Sequence, residues 1–320
     1  MARLEDLRFR AGDASLAATL TLPDADGRLP WAILVPSWLP RNRDGDWDRE
    51  RHPHWYGPMR TDAPPGPFAR LADALAQHGV ATLRYDPRGC GESDGTWTQA
   101  DLFTRIDDAR DAIGAMRSRA ELDLRRCAIV GHGEGAVIAT SVAIGDPAIG
   151  AVGLIGPSAR SMRDVLRRGA AERSRTGADR EHPAVAALDR SIEELIERAE
   201  RREPSMPLLI GEELVEMRLA AWEQAFHTPM LALATMLHRN VVIAHGTADA
   251  WADVDESRLL EATLRDGGNE PVLLEIAGAG HDLGDADMGD FAAALATRME
   301  PRDLPPVLVA IEQMSGNGSA

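Results

Sequence analysis

A chain of 320 residues can bury a full core, fits one large domain or one domain with an inserted cap, and is too long for a small structural module. With 44% hydrophobic and 27% charged residues the composition is ordinary for a globular protein and argues against long disorder. A formal net charge of −16 disfavours nucleic acid or an anionic membrane surface as partner, since both need basic patches, and leaves a small molecule as the expected one. All 35 basic residues are arginine, which together with the Ala, Gly and Asp enrichment reads as the codon bias of a GC-rich bacterial genome. Cys90 and Cys127 are too few for a disulfide scaffold, so a reducing cytoplasm is expected. The start, MARLEDLRFR, has no apolar signal segment, and no run approaches the roughly 18 apolar residues of a membrane span.

Short strand-like runs alternate with longer helix-like ones, which predicts a mostly parallel eight-stranded sheet with helices on both faces. In chain order the strands are Leu4–Phe9, Leu16–Leu22, Trp31–Val35, Ala81–Tyr85, Arg126–Val130, Ala151–Ile155, Val241–Ala244 and Pro271–Ile276. An amphipathic helix at Pro67–His78 ends on Gly79, and Glu134–Ile144 forms a helix directly behind the fifth strand. Further helices fall near Asp253–Arg265 and Asp287–Met299, and Ser315–Ala320 is expected to fray. Between Pro157 and Asn240 the strand signal disappears. One helical face there carries Val185, Leu188, Ile192, Leu195 and Ile196, another Val215, Leu219, Trp222 and Phe226, and Thr228-Pro229 reads as the N-cap and first position of a short helix. The expected organisation is a core of residues 1–157 and 241–320 with an all-helical cap, 158–240, over the site.

The strongest local signal is Val130-Gly131-His132-Gly133-Glu134-Gly135, a glycine-rich turn between a strand and a helix. In a G-x-S-x-G elbow the flanking glycines permit a strained turn that lifts the central side chain over the sheet, and the next N–H stabilises an oxyanion. Register places Gly133 where that nucleophile would stand and Glu134 as the N–H donor. A dinucleotide-binding reading fails because the G-x-G-x-x-G spacing is absent, the turn follows the fifth strand, and the chain has no lysine. Downstream, Ala244-His245-Gly246-Thr247-Ala248-Asp249 puts a carboxylate after one strand, and Gly278-Ala279-Gly280-His281 puts a histidine after the next. Each alone is a turn residue; in this order they read as a triad-derived site.

With these motifs the chain resembles the α/β-hydrolase superfamily, and within it bacterial esterase or acyl-peptidase-like proteins with a HGSGPxDRDG-type loop after the third strand and an RYDxRGxGxS segment after the fourth. The second motif is present as Arg84-Tyr85-Asp86-Pro87-Arg88-Gly89-Cys90-Gly91-Glu92-Ser93. The resemblance covers roughly residues 14–157 and 238–300, and implies Asp249 and His281 as the acid and base of a triad whose serine is replaced by Gly133. The first loop departs from the pattern. Pro36-Ser37-Trp38-Leu39-Pro40-Arg41-Asn42-Arg43-Asp44-Gly45 keeps the arginine, aspartate and glycine but replaces the His-Gly and the second Gly of a loop that normally provides the second oxyanion N–H and whose glycine lets the backbone approach substrate; a bulky Trp38 there argues against a standard oxyanion hole. Two departures at one site favour natural repurposing over an engineered serine-to-glycine trap.

The long connection from Pro36 to Gly66 holds Trp38, Trp47, Trp55, Tyr56, His52 and His54, and reads either as a pocket wall for a flat apolar ligand or as a satellite core under the loop. Trp38, Trp47, Trp55 and Trp222 are the candidate binding aromatics. His52-x-His54 is no metal site by itself, since no third ligand is apparent, and neither metal nor cofactor is expected. Cys90 reads as a buried turn residue, and the Glu134 side chain is expected to point away from the site.

Without a hydroxyl at 133 no acyl-enzyme forms by the ordinary route. His281, oriented by Asp249, remains as a general base facing space for about one water, about 30 Å³. The expected function is cofactor-independent acid–base chemistry, such as carbon–carbon bond formation, cyclisation or isomerisation, on an aromatic metabolite. Similar non-hydrolytic members of the superfamily occur in bacterial natural-product pathways. The alternatives are a serine esterase with an engineered nucleophile change and an inactive small-molecule receptor. The chain is expected in the cytoplasm and is compatible with a homodimer.

Overall fold

The computed structural model describes residues 2–53, 66–176, 183–210, 213–284 and 286–316. In chain order its strands are Arg3–Ala11 (β1), Ala14–Leu22 (β2), Leu29–Val35 (β3), Ala81–Tyr85 (β4), Leu122–His132 (β5), Ile149–Ile155 (β6), Ser205–Ile210 (β7), Glu213–Arg218 (β8), Asn240–Gly246 (β9) and Val272–Ile276 (β10). The helices are Pro67–Gln77 (α1), Leu102–Arg117 (α2), Gly135–Gly145 (α3), Met162–Thr176 (α4), Pro183–Glu200 (α5), Ala220–His227 (α6), Met230–Ala234 (α7), Val254–Asp266 (α8), Gly289–Thr297 (α9) and Pro306–Gly316 (α10). Eight strands form one sheet in the order β1-β2-β4-β3-β5-β6-β9-β10, antiparallel at β1/β2 and β2/β4 and parallel elsewhere. None of the described helices is long and apolar enough to cross a membrane.

Burial on both faces explains why the central strands read as continuous apolar runs. On β3, Trp31, Ile33 and Val35 join the core formed with α2, α3 and α8, while Ala32 and Leu34 join the one formed with α1 and α9. The Trp31 indole is fully buried and donates Nε1–H to Asp123 O at 3.1 Å. β3 has β4 on one side and β5 on the other, so the chain reverses its winding there. In open α/β sheets the crevice at the carboxyl ends of such strands is where ligands bind.

The predicted strands are all present, with β5 longer than expected. Two helices, α2 and α10, were not read from the sequence. The buried stripe of α2 is carried by Ala109 and Ala112 as much as by Leu102, Ile106, Ile113 and Met116, which weakens its periodicity. Asp101 caps it, its Oδ1 accepting Thr104 N–H at 2.8 Å. At the chain end α10 extends to Gly316, through the start of the stretch expected to fray.

The segment between β6 and β9 is not all-helical, because β7 and β8 form an antiparallel hairpin within it. Met206 and Leu208 are buried, alternating with exposed Pro207 and Leu209, and Met217 is buried on the partner strand. Pro207 and the scarcity of β-branched residues hid that alternation, and an isolated two-stranded ribbon tolerates the proline at its edge. Val215 therefore belongs to β8 and not to a helix. Thr228 closes α6 with its hydroxyl donating to Gln224 O, and Pro229 is the N-cap residue of α7. On α5, Ile192, Leu195 and Ile196 face inward as expected, while the Val185 and Leu188 side chains lie outside the described residues.

Candidate functional site

Gly133 sits in the turn from β5 to α3 with φ 57°, a left-handed conformation that favours glycine, and its N–H donates to Ile155 O at 2.9 Å. The flanking glycines are required by close approach: a Cβ on Gly131 would run into Gly135 O, and one on Gly135 into Val35 O. At Gly133 itself an added Cβ would meet side chains, 3.0 Å from His281 Nε2 and 3.1 Å from Ser37 Oγ. The backbone N–H of Glu134, next in the turn, has no hydrogen-bond partner among the described residues.

His281 follows β10, and its Nδ1 lies 2.7 Å from Asp249 Oδ2. Asp249, in the turn after β9, is aimed by Trp251 N–H at 2.7 Å and Ala252 N–H at 3.0 Å, both donated to Oδ1. Burial opposes the carboxylate's charge, but the histidines beside it outweigh burial and hold Asp249 well below the ordinary range. For His281, burial works against the imidazolium, and the Asp249 charge and hydrogen bond overcome it, so the group titrates above its ordinary value. A second histidine at the acid was missed from sequence: fully buried His245 has Nε2 3.3 Å from Asp249 Oδ2 and Nδ1 2.6 Å from Ser257 Oγ. His132, with its ring centroid 4.6 Å from that of His281, is held neutral, pushed down to about 3 by burial and by the neighbouring His281.

The loop after β3 is fastened by charge. Arg43 binds Asp86 through Nη2 at 2.7 Å and its own backbone N–H at 2.6 Å, and Arg84 pairs with Asp44 at 2.9 Å. Residues shared by the two motifs thus hold the two loops together. This places buried Ser37 over Gly133 and Trp38 between two pockets. One, of about 470 Å³, is lined by Ser37, Trp38, Gly133 and His281 together with Met162, Val165 and Leu166 from α4. The other, of about 330 Å³, lies beyond Trp38 and is lined by Trp97, Trp222, Met217, Arg105 and Glu134. Trp38 stacks on Trp97 at 5.9 Å and meets Trp222 edge-on at 4.5 Å, and Trp97 Nε1–H donates to Trp38 O at 2.5 Å.

Two expectations change. Glu134 does not point away: its buried carboxyl lines both pockets and pairs with Arg105 at 3.3 Å, and burial raises it against the opposing arginine. The turn leaves α3 starting at Gly135, which turns the Glu134 side chain toward α2. Trp47 lines neither pocket, because the Arg41 guanidinium lies 4.4 Å over its ring and holds it in a satellite core. Trp55, with His54 and Tyr56, falls outside the described residues. Cys90 is fully buried, as expected of a turn residue, and burial pushes its thiol up. It lies not at His281 but beside Asp48 and His52. Trp97 and Arg105 were missed because their place at the pocket depends on α2 and on contacts across the two loops.

The family described as serine aminopeptidase, S33, matches residues 65–283. The chain belongs to this family. No curated protein sequence matches it. Among solved structures it is similar to Est1E from Butyrivibrio proteoclasticus with ferulic acid bound, at TM-score 0.63 and 15% identity over 92% of this chain and 97% of that one. The α/β hydrolase GrgF from Penicillium sp. sh18 aligns at TM-score 0.59 and 18% identity, over 93% and 99%. DcsB in complex with its substrate analogue aligns at 0.60 and 13%, over 98% and 99%. At these identities the likeness is one of fold, the α/β-hydrolase fold that the sheet order already describes.

Proposed function

We propose that this member of the family is a non-hydrolytic enzyme in which His281, held by Asp249, is the general base for an aromatic or polyketide-type metabolite of a bacterial natural-product pathway. The observation that carries this reading is that His281 Nε2 and Ser37 Oγ both lie close over Gly133, 3.0 and 3.1 Å from where a Cβ would begin, and that the three residues line one pocket of about 470 Å³. A substrate oxygen in that pocket, in van der Waals contact with Gly133, has a base and a hydroxyl donor within reach. A phenol, enol or activated carbon acid gives its proton to Nε2 and keeps the electron pair. The Ser37 hydroxyl and the Glu134 N–H are the donors available to the resulting oxyanion. The imidazolium, stabilised by Asp249, then returns the proton to another atom of the product, so the enzyme ends unchanged. Carbon–carbon bond formation, cyclisation and isomerisation all fit this cycle without a covalent enzyme intermediate. Trp38 and the apolar side chains of α4 suit a flat ligand, with the segment between β6 and β9 as the cap over it.

Hydrolysis is the second reading, favoured by the family's serine aminopeptidases and by the esterase Est1E. Against an acyl-enzyme at position 133 stand the missing hydroxyl and the crowding there. Ser37 Oγ lies 3.1 Å from where a side chain at 133 would begin, and this crowding from the loop after β3 supports natural repurposing over a serine removed from an otherwise unchanged site. Base-promoted opening of a nitrobenzisoxazole, a flat aromatic carbon acid, tests the proposal without knowledge of the substrate. The wild-type chain is expected to accelerate it and His281→Ala to lose the acceleration; equal rates in the two proteins would sink the reading.

A further inference from the structure

Where the loop after β3 crosses the loop after β4, a carboxylate oxygen of Asp48, a ring nitrogen of His52 and Cys90 Sγ all lie within 4.8 Å of one another. We propose that Asp48, His52 and Cys90 form a binding site for a divalent zinc-type ion, separate from the His281 pocket. The donor set of carboxylate, imidazole and thiolate is that of a borderline-soft ion such as zinc, and not of calcium or magnesium, which take oxygen ligands.

The charge pattern around these residues is what singles them out. Outside the Asp249–His281 pair, the buried acidic residues among those described are Asp48, Asp86, Asp108, Glu134 and Glu256. Four have an arginine: Asp86 pairs with Arg43, Asp108 with Arg88, Glu134 with Arg105 and Glu256 with Arg168. Asp48 alone is buried with no arginine or histidine paired to it among the described residues, although a buried carboxylate without a countercharge is costly. Beside it Cys90 Sγ is fully buried and makes no hydrogen bond among the described residues. A cation at this point gives Asp48 a countercharge and Cys90 Sγ a partner.

The surroundings are arranged as they are around metal ligands, whose orientation is fixed from outside. His52 Nε2 lies 2.8 Å from Gly89 O, so this nitrogen carries the proton and Nδ1 is left with its lone pair. Asp48 Oδ2 accepts Gly91 N–H at 2.7 Å, and Oδ1 accepts Arg51 N–H at 3.2 Å. His52 is only half-buried, which leaves the ion a way in. On binding, Cys90 releases its thiol proton to solvent and coordinates as thiolate. The metal keeps its oxidation state, and water completes the tetrahedron.

Such an ion staples the two loops that form the pocket wall. The His52 ring meets Trp97 edge-on at 5.5 Å, and Trp97 holds Trp38 by stacking and by the Nε1–H bond to its carbonyl. Occupancy would therefore stiffen the aromatic wall that faces the substrate.

Cobalt(II) titrated into the chelator-stripped, purified chain is the test. One equivalent is expected to bind and to give a thiolate-to-cobalt charge-transfer band in the near ultraviolet. Cys90→Ser should abolish that band, and His52→Ala and Asp48→Asn should weaken affinity at least about tenfold. His238→Ala, at a distant position, should leave it unchanged. Absence of the band in the wild-type chain, or its persistence in Cys90→Ser, overturns the proposal. Should Cys90→Ser fail to fold, His52→Ala decides, since unchanged cobalt affinity in that half-exposed variant also overturns it.

Discussion

Two regions meet at the pocket and are held in place differently. Gly133, Asp249 and His281 stand on turns at the ends of β5, β9 and the edge strand β10, and the central residues of β5 and β9 are shut off from solvent on both faces of the sheet. Trp38, Trp97 and Trp222 come from a loop after β3, a turn after β4 and helix α6, and they hold chiefly to one another. The strand ends fix the chemistry through backbone geometry. The wall fixes shape through side chains far apart in sequence. Damage to the frame should cost the fold, damage to the relay should cost the chemistry alone, and damage to the wall should cost ligand binding.

The sharpest separation of relay from frame is Asp249→Asn. The variant should fold, yet lose about four orders of magnitude in His281-dependent rate, the scale seen when a triad acid is replaced by its amide. Its pH profile carries the sign. Asp249 stabilises the imidazolium, so wild-type His281 titrates above its ordinary value and the rate rises with pH through that raised value. Without the carboxylate the rising limb, and the His281 ring titration followed by NMR, should move to lower pH. A ring titration unmoved in Asp249→Asn would break the assignment.

On the frame, Trp31→Ala removes a fully buried indole and its bond to Asp123 O, and should cost about 3–5 kcal/mol in denaturant unfolding. A loss comparable to that of an exposed residue would contradict the role given to β3. At the wall, Trp38→Ala should leave the unfolding midpoint nearly in place while weakening an aromatic ligand by about 1–2 kcal/mol in calorimetry. Equal losses in both measurements would erase the distinction between wall and frame.

The smallest expected change, and the most discriminating, concerns Gly133→Ser. With Ser37 and His281 so near the new Cβ, the single variant should react poorly with a fluorophosphonate. Ser37→Gly added to it should relieve the crowding and raise labelling. Efficient labelling of the single variant would mean that the position was merely emptied.

What the sequence revealed follows the same division. GHGEG, HGTAD and GAGH are contiguous motifs at strand ends, and local spacing alone gave the order of Gly133, Asp249 and His281. The wall depends on which aromatic of the loop turns inward, and that is decided elsewhere. Arg41 takes Trp47 away, while Arg43–Asp86 and Asp44–Arg84 bring Trp38 to the site. The same crossing of loops sets Cys90 and Asp48 beside His52, a grouping that spacing in the sequence does not show. His245 was hidden for a different reason, since in the sequence it is one more residue of an apolar strand, and only the fold brings Asp249 and Ser257 to its ring.

The central claim is that the site has a base and no nucleophile. Incubation of the wild-type chain with a fluorophosphonate, followed by intact-mass measurement, tests it most directly. The expected result is an unmodified mass under conditions that fully label a serine esterase. A stoichiometric adduct mapping to Ser37, the hydroxyl that flanks the vacant position opposite His281, would show instead a hydrolase whose serine has moved to the other side of the site.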